Sequence, residues 1–172
     1  MIYPAIAAGT LLAAVFVASA FSKVRGRRQF ALFVTSAVEL GMPASIRPRL
    51  GAAAIVALEA AVPVLLLLLP PAGFCLAIAL LGVFLVAIVR AHRAGSRVAC
   101  RCFGDSGSAL GPRHVVRNSA LIVVAVLGAA ATNAPAPSQP AIVIAAVGAG
   151  LIGSVVFILF DDISDLFVMR RS

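Results

Sequence analysis

Cys100-Arg101-Cys102-Phe103-Gly104 is the stretch of this chain whose residue types most directly imply chemistry. Two sulfurs separated by one residue can close into a small, strained disulfide ring that another thiol opens readily. Arg97 and Arg101, with Arg93 nearby, favour the thiolate, which is the nucleophilic form. Phe103-Gly104 marks a turn directly after the pair. Cys100 and Cys102 are therefore the candidate redox pair. The alternative is two inert thiols near a membrane interface. A metal site is a further reading, with Cys100, Cys102, His92 and His114 as the local ligands. Zinc would use all four, and their spacing matches no standard finger or knuckle.

Other polar residues invite a role because of where they fall. Glu59 stands about nine residues after Leu50 in an apolar run, where an unpaired carboxylate costs several kcal/mol. Lys23 or an arginine is a candidate partner, although counted depth sets Lys23 and Glu59 apart. A Ser or Thr on a neighbouring helix is another, and Asn118 is a further polar residue at the start of an apolar run. His114 lies beside Arg113 and Arg117, placed for head groups, hydrogen bonding or service as a base to a cysteine. His92 is read as a helix cap, and Cys75, alone in an apolar run, as packing. Asp161, Asp162 and Asp165 read as partners for nearby arginines.

These residues need a bilayer to hold them. The chain of 172 residues is 62% hydrophobic and only 12% charged, about half the charge usual in a soluble domain, and its mean hydropathy is +1.12. The net charge of +8 sits beside apolar runs, not on a polar domain. It therefore points to anionic head groups and away from nucleic acid. Three cysteines are too few for a disulfide scaffold. The fold class expected is an all-α, multi-pass bundle forming one membrane domain.

Five apolar runs approach the ~20 residues that cross a bilayer as helix: approximately 2–21, 50–69, 73–89, 115–133 and 141–160. Pro70-Pro71-Ala72 and the segment 134–140 join two pairs of runs without charge. All 14 Lys and Arg residues fall in the other connections and the tail. Positive-inside then puts the N-terminus outside, and the C-terminus and the Cys100/Cys102 loop in the cytoplasm. Ala18-Ser19-Ala20 resembles a cleavage site, and cleavage would leave four spans. The basic run from Lys23 to Arg28 reads instead as stop-transfer, which retains the first helix.

Phe30, Phe33, Val34, Ala37 and Val38 form one stripe of a short amphipathic helix ending near Gly41-Met42-Pro43, expected to lie in the interface with Arg27 and Arg28 at head groups. Ala145, Ala149 and Gly153 on the fifth span, and Gly9 and Ala13 on the first, are small residues at helical spacing. They read as bundle packing, with a homodimer face as a second use. No phosphate loop, internal repeat or intramembrane ionisable chain is evident.

Ser22-Lys23 closing the first span, Leu40-Gly41-Met42-Pro43, Glu59, Cys-x-Cys-Phe-Gly from Cys100 to Gly104, and Arg117-Asn118 together resemble the MauE family, within the DoxX-like redox-associated group. Arg101 stands where that family often has Gly. The resemblance implies a helical-bundle thiol–disulfide component that works with a thioredoxin-like partner. It also implies, by kinship, a part in maturing a methylamine dehydrogenase, a disulfide-rich periplasmic enzyme. Lys23, Glu59, Gly104 and Asn118 carry over as supporting positions, with Arg97 and Arg101 from the local chemistry. No cofactor is predicted, and quinone and metal stay open. The charge count puts the cysteines in the cytoplasm, whereas export-linked chemistry wants them outside. A loop folded back into the bundle, a cytosolic reductant and an inverted orientation all remain open. A non-catalytic assembly subunit is the competing function.

Overall fold

The structure is a computed structural model that describes residues 2–42, 47–93, 112–133 and 139–169, the last ten of these by backbone alone. Six α-helices run in order: α1 (Tyr3–Val24), α2 (Arg27–Glu39), α3 (Pro48–Leu68), α4 (Pro70–Arg93), α5 (Pro112–Ala130) and α6 (Pro140–Met169). A 3₁₀ turn, Ala131–Asn133, follows α5. Among the described residues there is no strand. Five helices are long and apolar enough to cross a membrane, and the chain is a multi-pass membrane protein.

Proline sets most of the boundaries. α3, α4, α5 and α6 all begin on Pro, and α1 carries one in its first turn. There the missing N–H is no loss and the fixed φ suits a helix. The residue before Pro is disfavoured in the helical region. Leu69 accordingly sits at φ −141°, ψ 73° and ends α3. This corrects the expected turn. Pro70-Pro71-Ala72 is the first turn of α4 and Leu69 alone makes the link, so the third span has 24 residues and is not the shortest. α2 contains the expected stripe and ends, as expected, just before Gly41-Met42-Pro43. It ends in a Schellman motif, with Gly41 at φ +96°, Gly41 N–H donating to Val38 O at 3.0 Å and Met42 N–H to Ala37 O at 3.1 Å.

α1 is the central helix and packs on α6, α3 and α5. Its Leu11, Leu12, Val15 and Phe16 meet Val62 of α3, Phe74, Ala77 and Leu81 of α4, and Leu121 and Ala125 of α5 in one core. Large aliphatic residues such as Leu67, Ile144 and Ile152 point outward, as expected where the solvent is lipid.

The face of α6 against α1 keeps Gly153 of the expected stripe, where a Cβ would stand 2.8 Å from Leu11 Cδ1, but not its two alanines. Ala146 and Ser154 are buried, whereas Ala145 and Ala149 are exposed. Gly150 fits so closely that a Cβ there would stand 2.5 Å from the Ala7 carbonyl oxygen. Cys75 is likewise exposed on α4 and is not a core residue.

Candidate functional site

α1 closes with Ser19 and Lys23 on one face, four residues apart, and both are buried. The Lys23 ammonium donates to both carboxylate oxygens of Glu59, at 2.5 Å to Oε1 and 2.6 Å to Oε2, and to Ser19 Oγ at 2.9 Å. Ser19 Oγ in turn donates to Glu59 Oε1 at 3.4 Å. All three ammonium donors are thereby used. Lys23 and Glu59 are 2% and 1% exposed, so the pair is shielded from lipid and from bulk water. The Phe33 and Phe84 rings flank the ammonium at 4.8 and 5.5 Å from their centroids, within cation–π range.

The depth count that separated Lys23 from Glu59 fails because α3 projects past the end of α1. Its first two turns pack toward α2 and the end of α4, as Leu50, Gly51, Ala54 and Ile55 lie beside residues of both. Glu59 therefore stands level with the last turn of α1. Pro63, inside α3, lacks the N–H that would bond to the carbonyl four residues back, which belongs to Glu59.

Beside the pair lies a cavity of about 40 Å³, lined also by His114, Arg117 and Asn118 of α5 and by Phe84 and Ile88 of α4. It exceeds the ~10–15 Å³ needed for a water molecule. His114 and Arg117 are buried inside the bundle. Asn118 Nδ2 donates to the His114 carbonyl at 3.0 Å. Lys23, Glu59 and Asn118 were expected as supporting residues, and all three line this cavity. Ser19, His114 and Arg117 were not recognised as members of one cluster. The signal for α5 was present: His114, Arg117, Leu121, Ala125 and Gly128 follow one helical stripe, and all are buried.

Cys100, Cys102, Arg97, Arg101 and Gly104 lie outside the described residues. The segment carrying them joins α4 to α5, the two helices that supply Phe84, Ile88, His114 and Arg117 to the cavity wall. His92 is exposed in the last turn of α4, while His114 is buried, so the two imidazoles have different surroundings. Among the described residues no group of three His, Cys, Asp or Glu gathers as a metal site.

Residues 1–131 match the family model described as Methylamine utilisation protein MauE. The match takes in α1 to α5, the ionic cluster and the cysteine motif, and stops before α6. No curated protein and no solved structure matches the chain.

Proposed function

The chain belongs to the MauE family of membrane proteins, and from that premise we propose that it exchanges disulfides with a thioredoxin-like partner through Cys100 and Cys102. One thiolate attacks a partner disulfide and releases a partner thiolate, which takes up a proton. The second cysteine then attacks the mixed disulfide. The pair leaves as a disulfide and the partner as a dithiol, so two electrons and two protons have moved. The opposite direction uses the same steps. By kinship with the family's description, the protein matured through this exchange belongs to methylamine utilisation.

The observation that supports this reading is the anchorage of the start of α5, which follows the cysteine segment in sequence. α5 leaves that segment and within two turns buries His114 and Arg117 beside Lys23 and Glu59. A loop that meets a visiting protein needs a fixed base, and the first two turns of α5, buried against the Lys23–Glu59 pair, supply one.

Cys100→Ser and Cys102→Ser variants test the exchange. Whichever substitution removes the resolving cysteine should accumulate a mixed-disulfide adduct that disappears on reduction. Adducts from neither variant would overturn the proposal. Impermeant maleimide labelling of intact cells, with and without reductant, reports the side on which the pair faces. The charge pattern predicts the cytoplasmic side.

A second reading is favoured by the closure of the ion pair itself. With every Lys23 donor bound internally, the cluster suits architecture as well as catalysis. The protein would then be an assembly subunit, and a Cys100→Ser, Cys102→Ser double variant would support normal partner maturation.

A further inference from the structure

A large apolar groove lies between α2, α3 and α4 at the end of the bundle where the basic residues gather. It has a volume of about 940 Å³, toward the upper end of the ~300–1,000 Å³ of small-molecule sites. Its walls include Phe33 and Ala37 of α2, Ile55 of α3, and Gly82 and Val86 of α4. Among the described residues lining it, Arg90 is the one charged side chain.

Direction matters more than size. Gly82 and Arg90 are eight residues apart on α4, which is roughly 12 Å of helix rise. The groove therefore runs from a guanidinium at its mouth into the apolar depth of the bundle. Arg90 is exposed, and Arg47 and Arg49 flank the start of α3 next to the lining residue Leu50. α2 forms one wall and carries exposed Arg27 and Arg28 at its start. The Arg90 guanidinium at the mouth of a hydrocarbon channel, with Arg47 and Arg49 at the adjoining start of α3, complements a molecule with an anionic head and an aliphatic tail.

We propose that this groove binds one anionic phospholipid, with its phosphate at Arg90 and an acyl chain along the α4 face from Val86 to Gly82. The site is independent of the cysteine chemistry. It adjoins the ionic cluster, however, because Phe33 and Phe84 both line the groove and flank the Lys23 ammonium. A seated chain would press on the rings that enclose that ammonium.

Native mass spectrometry of the purified full chain, titrated with phosphatidylglycerol or with phosphatidylcholine of the same acyl length, tests the site. The expected result is one retained phosphatidylglycerol, held at least about fivefold more tightly than phosphatidylcholine, the order expected of one basic residue beside an anionic head group. Arg90→Gln should remove that preference and leave phosphatidylcholine retention unchanged, whereas Arg90→Lys should keep most of it. A Cβ at Gly82 meets nothing within 4 Å, so Gly82→Leu fills the groove without a clash and should abolish retention of both lipids. Unchanged helical circular dichroism and melting temperature establish that each variant is folded. Equal retention of the two lipids, retention unaffected by Gly82→Leu, or no lipid retained at all would each overturn the proposal.

Discussion

The Lys23 ammonium lies 2.5 and 2.6 Å from the two carboxylate oxygens of Glu59, although Lys23 closes α1 and Glu59 lies midway along α3. This pair fastens the central helix to its neighbour, shielded from lipid and from bulk water. Removing one partner strands a charge in a medium that cannot solvate it, while removing both strands none.

Glu59→Gln and Lys23→Met should each lower stability by about 3–5 kcal/mol. The double variant Lys23→Met, Glu59→Gln should recover a large part of that loss. Thermal unfolding in detergent or lipid nanodiscs, arranged as a double-mutant cycle, measures the coupling. Single variants that melt with the parent would show that the pair does not hold the bundle together.

The aromatic flanks should be separable from simple packing. Phe84→Leu keeps apolar bulk but loses the ring face, and should cost about 0.5–2 kcal/mol through the lost cation–π contact. Phe84→Ala also opens the wall between the polar cavity and the groove and should cost about 3–5 kcal/mol. If the Lys23→Met background makes Phe84→Leu no less costly, the cation–π contribution is absent.

Gly150 and Ala149 are neighbours in sequence with opposite surroundings. Gly150→Leu drives side-chain atoms into the Ala7 carbonyl of α1 and should destabilise by about 1–3 kcal/mol. Ala149→Leu points outward and should be close to neutral. Paired melting curves check this, and equal effects at both positions would contradict the observed face of α6.

Cys75 faces outward from the apolar body of α4, so an impermeant maleimide should leave it unlabelled while a membrane-permeant one reaches it. Cys75→Ser should not alter impermeant labelling of intact cells. Mass spectrometry of tryptic peptides distinguishes Cys75 from the Cys100/Cys102 peptide. Impermeant labelling at Cys75 would mean that this face of α4 meets water.

The sequence by itself determined the membrane architecture. Length and hydropathy gave five spans and basic residues marked one end of the bundle, whereas Pro70-Pro71-Ala72, read as a turn, proved to be the start of α4. The stripe from Phe30 to Val38 gave the existence and end of α2, because α2 has a polar face to contrast with an apolar one. The reading also found Glu59, since a carboxylate in an apolar run stands out.

What only the tertiary structure decided was rotation and offset along the helix axes. Between lipid and a packed bundle there is little difference in polarity, so an apolar helix such as α6 carries no signal for which side turns inward. Of the expected stripe Ala145, Ala149 and Gly153, the two alanines therefore lie one residue away from the buried Ala146 and Gly150, while Gly153 does pack on Leu11. Depth was misjudged for the same reason: counting from the start of an apolar run assumes that spans begin level, and α3 begins beyond α1. The pairing of Lys23 with Glu59, and the inward turn of His114 and Arg117, follow from that offset and from how the helices pack around α1, neither of which is written in any one segment.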